Sequence, residues 1–582
     1  MSKMMRKVMS KTPLFNFILI ILLLPLVSCR VDKDDKNTLR FPLTESISTI
    51  DPVNGYDSVS MSVIYQGYEQ LFEYHYLRKP LKLVPLLAEE MPQVSDDGLT
   101  YTIKIKEGVQ YHDHPAFNGQ PRFVEAQDFI NQIKRLAFTP YRSNGWWLFD
   151  GRVVGLNKFR KEVGSDFDKL LSTDVDGLKA IDKRTLQIKL IAPYPQMLNA
   201  LAMSFTSPMP AEVIKKETFL DELIGTGPYK LDKWFRGSKL FMSRFDKYHK
   251  SFYPGKGDRF AHSKNLLTDA GKRIPFIDKI EFHIIKEAQT RWLQFMSGKL
   301  DFLRVPKDNY HSLVSPSGEL TEDFRDKNIT LDIFSSFTYW WFSFNMKDPI
   351  VGTNKNLRLA IAHAVNVEKY IKTFTNNIGL KANSIYPPGI PGYDPSRKLP
   401  YSYNVEKAKE YLRKAGYPDG KGLPTLVYDT RASSTTQRQR AELLKQDLEK
   451  IGIKMKIQLN TFPAFLKKSK EGKLQIWLDG WTLDYPDSEN VLQLLTTKNQ
   501  APGPNVSNYS NSDFDKKFES IKVMNDSDEK YLLMSQVEDI VLEDLPWVLL
   551  YYSRDYIVYH NRLKNFRYND LVVNKVKYLR LK

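Results

Sequence analysis

One cysteine, Cys29, stands among 582 residues, and its position takes it out of the folding problem. It closes a leader in which Lys3, Arg6, Lys7 and Lys11 precede a nearly uninterrupted apolar stretch from Leu14 to Leu24, with Ser28 as a small residue at the boundary. A positive segment, an apolar segment and a small-residue boundary, in that order, read as a secretory signal. A membrane span needs about 20 helical residues to cross a hydrocarbon core of about 30 Å. Leu14 to Val27 supplies 14 and is broken by Asn16 and Pro25. The remaining chain, more than 500 residues long, must therefore fold without a disulfide, a zinc–thiolate site or a cysteine nucleophile. Its stability rests on apolar burial, and that length divides into two or three domains, each able to bury a core.

Leu26-Val27-Ser28-Cys29 resembles the bacterial lipobox. That resemblance implies a signal over residues 1–28, an acylated Cys29 as the first mature residue, and a polar tether over 29–36. Lipid would then hold the protein to a bilayer on its outer side, the periplasmic side in a Gram-negative cell. The formal charge is +17, or +13 without the four basic residues of the leader. Lysines are scattered, and an extracytoplasmic chain does not meet nucleic acid, so none is expected as a partner. Aromatic residues make up 13% of the chain, more than a core alone requires, and suit a cleft lined by rigid amphipathic side chains.

Along the chain, Leu39 to Leu43 reads as a strand and Val59 to Phe72 as an amphipathic helix, from apolar residues three and four apart. Asp96-Asp97-Gly98 is a turn ahead of the alternating strand Leu99 to Ile105. Lys179 to Leu190 repeats that logic around Asp182-Lys183-Arg184. Strand and helix then alternate through Ile280 to Ile285, Ala288 to Met296 and Leu300 to Val305. They alternate again through Leu426 to Val427, Gln437 to Ile451 and Met455 to Leu459. This rhythm predicts α/β lobes with mainly parallel sheets. The chain ends in Val541 to Tyr552 and short strands near Tyr556 to Tyr559.

Phosphate-loop, zinc-helix and nucleophile-elbow patterns are absent. Gly225-Thr226-Gly227-Pro228-Tyr229 reads as a tight turn into a strand, because Pro228 removes an amide donor. His112-Asp113-His114 reads as a solvated loop, and no metal or cofactor is expected.

Several segments together resemble one family, the extracytoplasmic solute-binding proteins of ABC importers in the oligopeptide, dipeptide and nickel group. They include Leu86-Leu87-Ala88-Glu89, Val94 to Tyr101, Val124 to Phe129, Gly225 to Tyr229 with Trp234, and Ser297 to Asp301. Leu357 to Asn366, Asn404 to Ala408 and Ala415 to Gly420 complete the series. The resemblance implies an α/β bilobed clamshell with an extra α+β domain. Lobe I would combine 37–77, 207–329 and 538–582; the extra domain would be 78–206; the second, ligand-binding lobe would be 330–537. Ligand would lie between the lobes.

The same resemblance assigns the site. Peptide binders of the family carry Trp-x-x-Asp where this chain has Trp481 and Asp484 in Gly480-Trp481-Thr482-Leu483-Asp484. There the carboxylate meets the ligand's α-ammonium, while Gly480 and Trp481 line the first side-chain pocket. The alternative for Asp484 is a cap on the turn before Tyr485-Pro486. Trp341 and Phe462 fall on cleft aromatics of the family, or else pack in the core. Leu478 and Thr436 replace an arginine and a histidine of oligopeptide binders, so the usual carboxylate partners are missing. Arg431 or Arg438 would substitute, unless they face solvent. The expected function is a monomeric, lipid-anchored receptor that captures peptides and hands them to a membrane permease without chemical turnover. A nickel chelate, haem or an opine-like compound are the other ligands considered, and a secreted hydrolase is the rival class.

Overall fold

The computed structural model describes residues 37–216, 222–315 and 317–582. Cys29 and the leader lie outside the described residues. Three larger sheets organise the described chain. The first orders Thr38–Leu43, Lys279–Ile284, Lys239–Arg244 and Tyr229–Phe235. Its first pair is parallel and the others are antiparallel. A second, wholly antiparallel sheet orders Gln93–Val94, Thr100–Lys104, Thr185–Lys189 and Leu178–Asp182. Helix Ala126–Ala137 packs against it.

The third sheet has seven strands. Its path runs Phe302–Arg304, Trp547–His560, Ile329–Phe344, Ile476–Thr482, Leu426–Asp429 and Met455–Gln458, and Leu380–Lys381 pairs with Trp547–His560 off this path. Only Leu426–Asp429 pairs in parallel, with both of its neighbours. The expectation of mainly parallel sheets is thus corrected to mixed ones. The reason is a pair of long antiparallel strands, Ile329–Phe344 and Trp547–His560, that strand–helix alternation does not reveal. The stretch from Val541 to Tyr552 also divides. Helix Asp528–Asp544 ends at Leu545, which takes a left-handed φ of 54°, and Pro546 leads into one strand of 14 residues instead of short ones.

Alternation along Ile329–Phe344 partitions the core. Phe342 and Phe344 join Ile476, Leu478, Val548 and Leu550 on one face. Tyr339 and Trp341 join Trp547, Leu549 and Tyr552 on the other.

The first helix, Ser58–Gly67, is shorter than its apolar spacing predicts. It starts where Asp57 accepts a hydrogen bond from the Ser60 amide at 2.8 Å. It stops at Gly67 because the Gly225–Gly227 turn packs onto its last carbonyl. The Gly227 amide donates to the Gly67 oxygen at 2.9 Å, and a Cβ on Gly225 would lie 1.9 Å from that oxygen. Leu71 and Phe72 are then free to leave the helix, and Phe72 opens the strand Phe72–Tyr74. As read from sequence, the turn feeds a strand, Tyr229–Phe235. The same turn covers His112, whose Nε2 lies 2.9 Å from the Gly227 carbonyl oxygen and whose amide donates to the Gly225 oxygen. His112 is buried, so the solvated reading of that loop fails for it.

Candidate ligand-binding site

A cavity of about 1080 Å³ opens along the seven-stranded sheet. Gly480, Trp481, Asp484, Trp341, Phe462 and Arg431 all line it, so the sequence-predicted residues come together on one surface. They arrive by register. Tyr339 pairs with Trp481, Trp340 with Gly480 and Trp341 with Asp479 across the antiparallel strands, and Asp484 follows two residues beyond the strand end.

Asp484 is half-buried, and its Oδ2 accepts hydrogen bonds from Tyr56 Oη at 2.7 Å and Asn490 Nδ2 at 2.8 Å. The Asp484 amide donates to Asn490 Oδ1 at 2.9 Å. Burial pushes its carboxyl up to about 6, against the lowering effect of the Asn490 and Tyr56 hydrogen bonds, and no cation contributes. Trp481 donates its indole N–H to the same Asn490 oxygen at 2.9 Å. The Tyr56 ring meets Trp481 edge-on, with centroids 5.2 Å apart. Among the described residues Asp484 has no ion-pair partner, and a carboxylate in that state beside Tyr56 and Trp481 can accept a cation. The hydrogen bonds of its side chain run to Asn490 and Tyr56 and not to the turn that follows it.

The segment carrying Asp484 is held from behind. Arg152 pairs with Glu489, with both side chains buried, and the guanidinium lies 3.7 Å from the Tyr194 ring centroid. Tyr485 also donates to Glu489, and Gln196 donates to Asp487 at 2.9 Å. Asp487 and Glu489, just past Asp484, are thus fixed by charged and polar contacts.

Gly480 is explained by packing. Its Cβ would meet Trp340 Cε3 at 2.5 Å, so the absence of a side chain lets the indole lie on the strand. Trp340 donates to Ser553 Oγ at 2.9 Å, and the Arg431 and Arg440 guanidinium groups each lie 5.5 Å from its ring. Arg431 is a cleft residue and not a solvent-facing one: it donates to Asp479 Oδ1 at 3.0 Å and lies 5.8 Å from the Phe462 ring. Asp479 thereby offsets the charge that the sequence reading offered to a ligand carboxylate. Arg438 is exposed and away from the cavity lining, whereas Thr436 lines it. Leu478 is core. Trp341 is 2% exposed and stacks on Trp547 at 4.4 Å, which makes it chiefly a packing residue at the cavity wall. Phe462, 6% exposed, packs beneath Arg431.

Sequence reasoning missed Tyr56, Asn490 and Trp340. Tyr56 lies 428 residues from Asp484, so no local spacing signals their bond. Trp340 is visible in the sequence only as the neighbour of Trp341, on the strand's other face.

Residues 82–503 match the model of bacterial extracellular solute-binding proteins, family 5. The chain is 27% identical over 519 residues to the glutathione-binding protein GsiB of Escherichia coli O6:K15:H31 (strain 536 / UPEC), covering 87% of each. It is 25% identical over 486 residues to the dipeptide-binding protein of Escherichia coli (strain K12), covering 81% of each. In structure it resembles the periplasmic binding protein DppA of Helicobacter pylori in complex with peptide STSA. The TM-score is 0.77 at 24% identity, over 94% of this chain and 98% of that one. The binding protein AgaA in complex with agropinic acid, from A. tumefacien R10, gives 0.73 at 21% identity, over 94% and 99%. The fold is therefore the bilobed clamshell of periplasmic binding proteins, and the chain belongs to the bacterial extracellular solute-binding proteins of family 5, the binding components of ABC importers.

Proposed function

We propose that this protein captures peptides in the cleft by their α-ammonium group, closes around them and delivers them to a membrane permease. The observation that carries this reading is Asp484, a carboxylate on the cavity wall, raised by burial and without a cationic partner among the described residues. Its hydrogen bond to Tyr56 joins the 37–77 segment to the 330–537 segment, the two sides that would close in the proposed division into lobe I, extra domain and ligand-binding lobe. Relatives that bind a dipeptide and glutathione support an amine-bearing, peptide-like solute. The protein acts as a monomeric receptor and not as an enzyme, and an acylated Cys29 holds it at the outer side of the membrane. A non-peptide solute is the second reading, favoured by the likeness to the agropinic acid complex.

Mass action sets the test. A ligand at one hundred times its dissociation constant adds about 2.7 kcal/mol of stability. A pool of short peptides should raise the melting temperature, and mass spectrometry should recover every peptide intact. Cleavage that grows with time would replace the receptor by a hydrolase, and stabilisation by opine-like compounds alone would favour the second reading.

A further inference from the structure

Four lysines are buried among the described residues: Lys134, Lys530, Lys575 and Lys577. Three have partners. Lys134 donates to the Leu171 carbonyl, Lys530 pairs with Asp526 and Asp487, and Lys577 donates to Glu73. Lys575 is 8% exposed and lines the cavity, yet its ammonium forms no hydrogen bond or ion pair among the described residues. It lies 4.4 Å from the Tyr568 ring centroid. A largely buried side chain whose ammonium borders the cavity without a counter-anion is placed to meet one on a bound molecule.

Its surroundings define what that molecule must carry. Asp570 lies within electrostatic reach, but its Oδ2 accepts the Phe337 amide at 3.0 Å and does not pair with the lysine. Arg304, also on the wall, pairs with Asp555 at 3.2 Å and donates to Tyr568 Oη. Burial lowers the Lys575 ammonium to about 8, with Asp570 raising it and Arg304 lowering it. Lys575 and Asp484 line the same cavity.

We infer that Lys575 is the anion-recognising group of the cleft and pairs with a carboxylate of the captured solute, so that the site selects molecules carrying an amine and a carboxylate. This rests on the peptide reading above and specifies its second pole. In a peptide the carboxylate comes from the C-terminus or from an acidic side chain.

The test uses the full chain with tri-, tetra- and pentaalanine, each as free acid and as C-terminal amide, and with the same peptides carrying one Glu or one Gln. Affinities are measured for the wild type, Lys575→Met and Lys575→Arg. A tenfold or greater preference for free acid, collapsed to within about twofold by Lys575→Met with amide affinity unchanged and rescued by Lys575→Arg, supports the C-terminal source. The same pattern for Glu over Gln supports the side-chain source. Ratios identical in wild type and Lys575→Met overturn the role of Lys575 while leaving peptide capture intact. Failure of every peptide to bind the folded wild type removes the peptide reading and this inference with it. If Lys575→Met does not fold, dimethyl-lysine NMR of the wild type, assigned with Lys575→Arg, takes its place. The Lys575 signal should move on adding free acid and not amide, and equal movement with both, or none, overturns the assignment.

Discussion

Replacing Asp484 by asparagine should make the empty protein more stable and the receptor worse. The wild-type carboxyl is raised from 3.8 to about 6 by burial. Its ionised form is therefore disfavoured in the fold by about 3 kcal/mol, an upper bound because the half-buried group keeps some contact with water. The sign follows from proton linkage. Between about pH 4 and 6 the folded state binds more protons at this site than the unfolded chain, so its contribution to stability falls as pH rises through that window and stays low above it. The amide oxygen of Asp484→Asn would keep the acceptor that Tyr56 and Asn490 use and would carry no charge. Differential scanning fluorimetry from pH 4 to 8 should show the variant melting higher than wild type at pH 7, with the difference vanishing towards pH 4. The same variant should lose about 2 to 5 kcal/mol of affinity for amine-bearing peptides, since it leaves the ligand's cation unpaired. A binding residue held at a loss of stability produces that pairing of effects. A variant that melts lower than wild type at pH 7 and binds peptides unchanged would show that Asp484 is a structural cap.

Other outcomes follow from the same geometry. In the proposed reading the ligand ammonium requires the ionised carboxylate, so affinity for a free-amine peptide should fall by about tenfold between pH 7 and pH 5, while calorimetry on the N-acetylated peptide should show no such fall. Gly480→Ala would drive a Cβ into the Trp340 ring; a loss of about 1 to 3 kcal/mol in stability and weaker peptide binding are expected from denaturant melts and calorimetry. Cys29→Ser should abolish incorporation of a radiolabelled fatty acid and release the protein from the detergent phase, and labelled protein persisting in that phase would contradict the lipid anchor.

Local chemistry is the legible part of this chain. The hairpin around Asp182-Lys183-Arg184 and the strand after Asp96-Asp97-Gly98 form where turn residues meet alternating apolar ones. Helix Ala288–Met296 likewise follows its spacing. Gly480, Trp481 and Asp484 are found through a motif and not through any periodicity. What stays hidden depends on contacts between distant segments. The first helix stops at Gly67 because a turn some 160 residues later occupies its last carbonyl. His112 is buried by that same turn. Tyr56 and Lys575 reach the cavity from opposite ends of the chain, so neither carries a local signal of function. Antiparallel pairing of the two long strands depends on which elements meet in space, and alternation of strands with helices is compatible with either direction.

The central claim, that Asp484 holds the solute by its amine, is tested most directly by a thermodynamic cycle. Calorimetry would compare a free-amine peptide and its N-acetyl form on wild type and Asp484→Asn at pH 7. Acetylation and substitution delete the same contact, so each alone should cost about 2 to 5 kcal/mol, while both together cost little more than one. Fully additive losses, or equal wild-type affinity for the two peptides, would contradict the account.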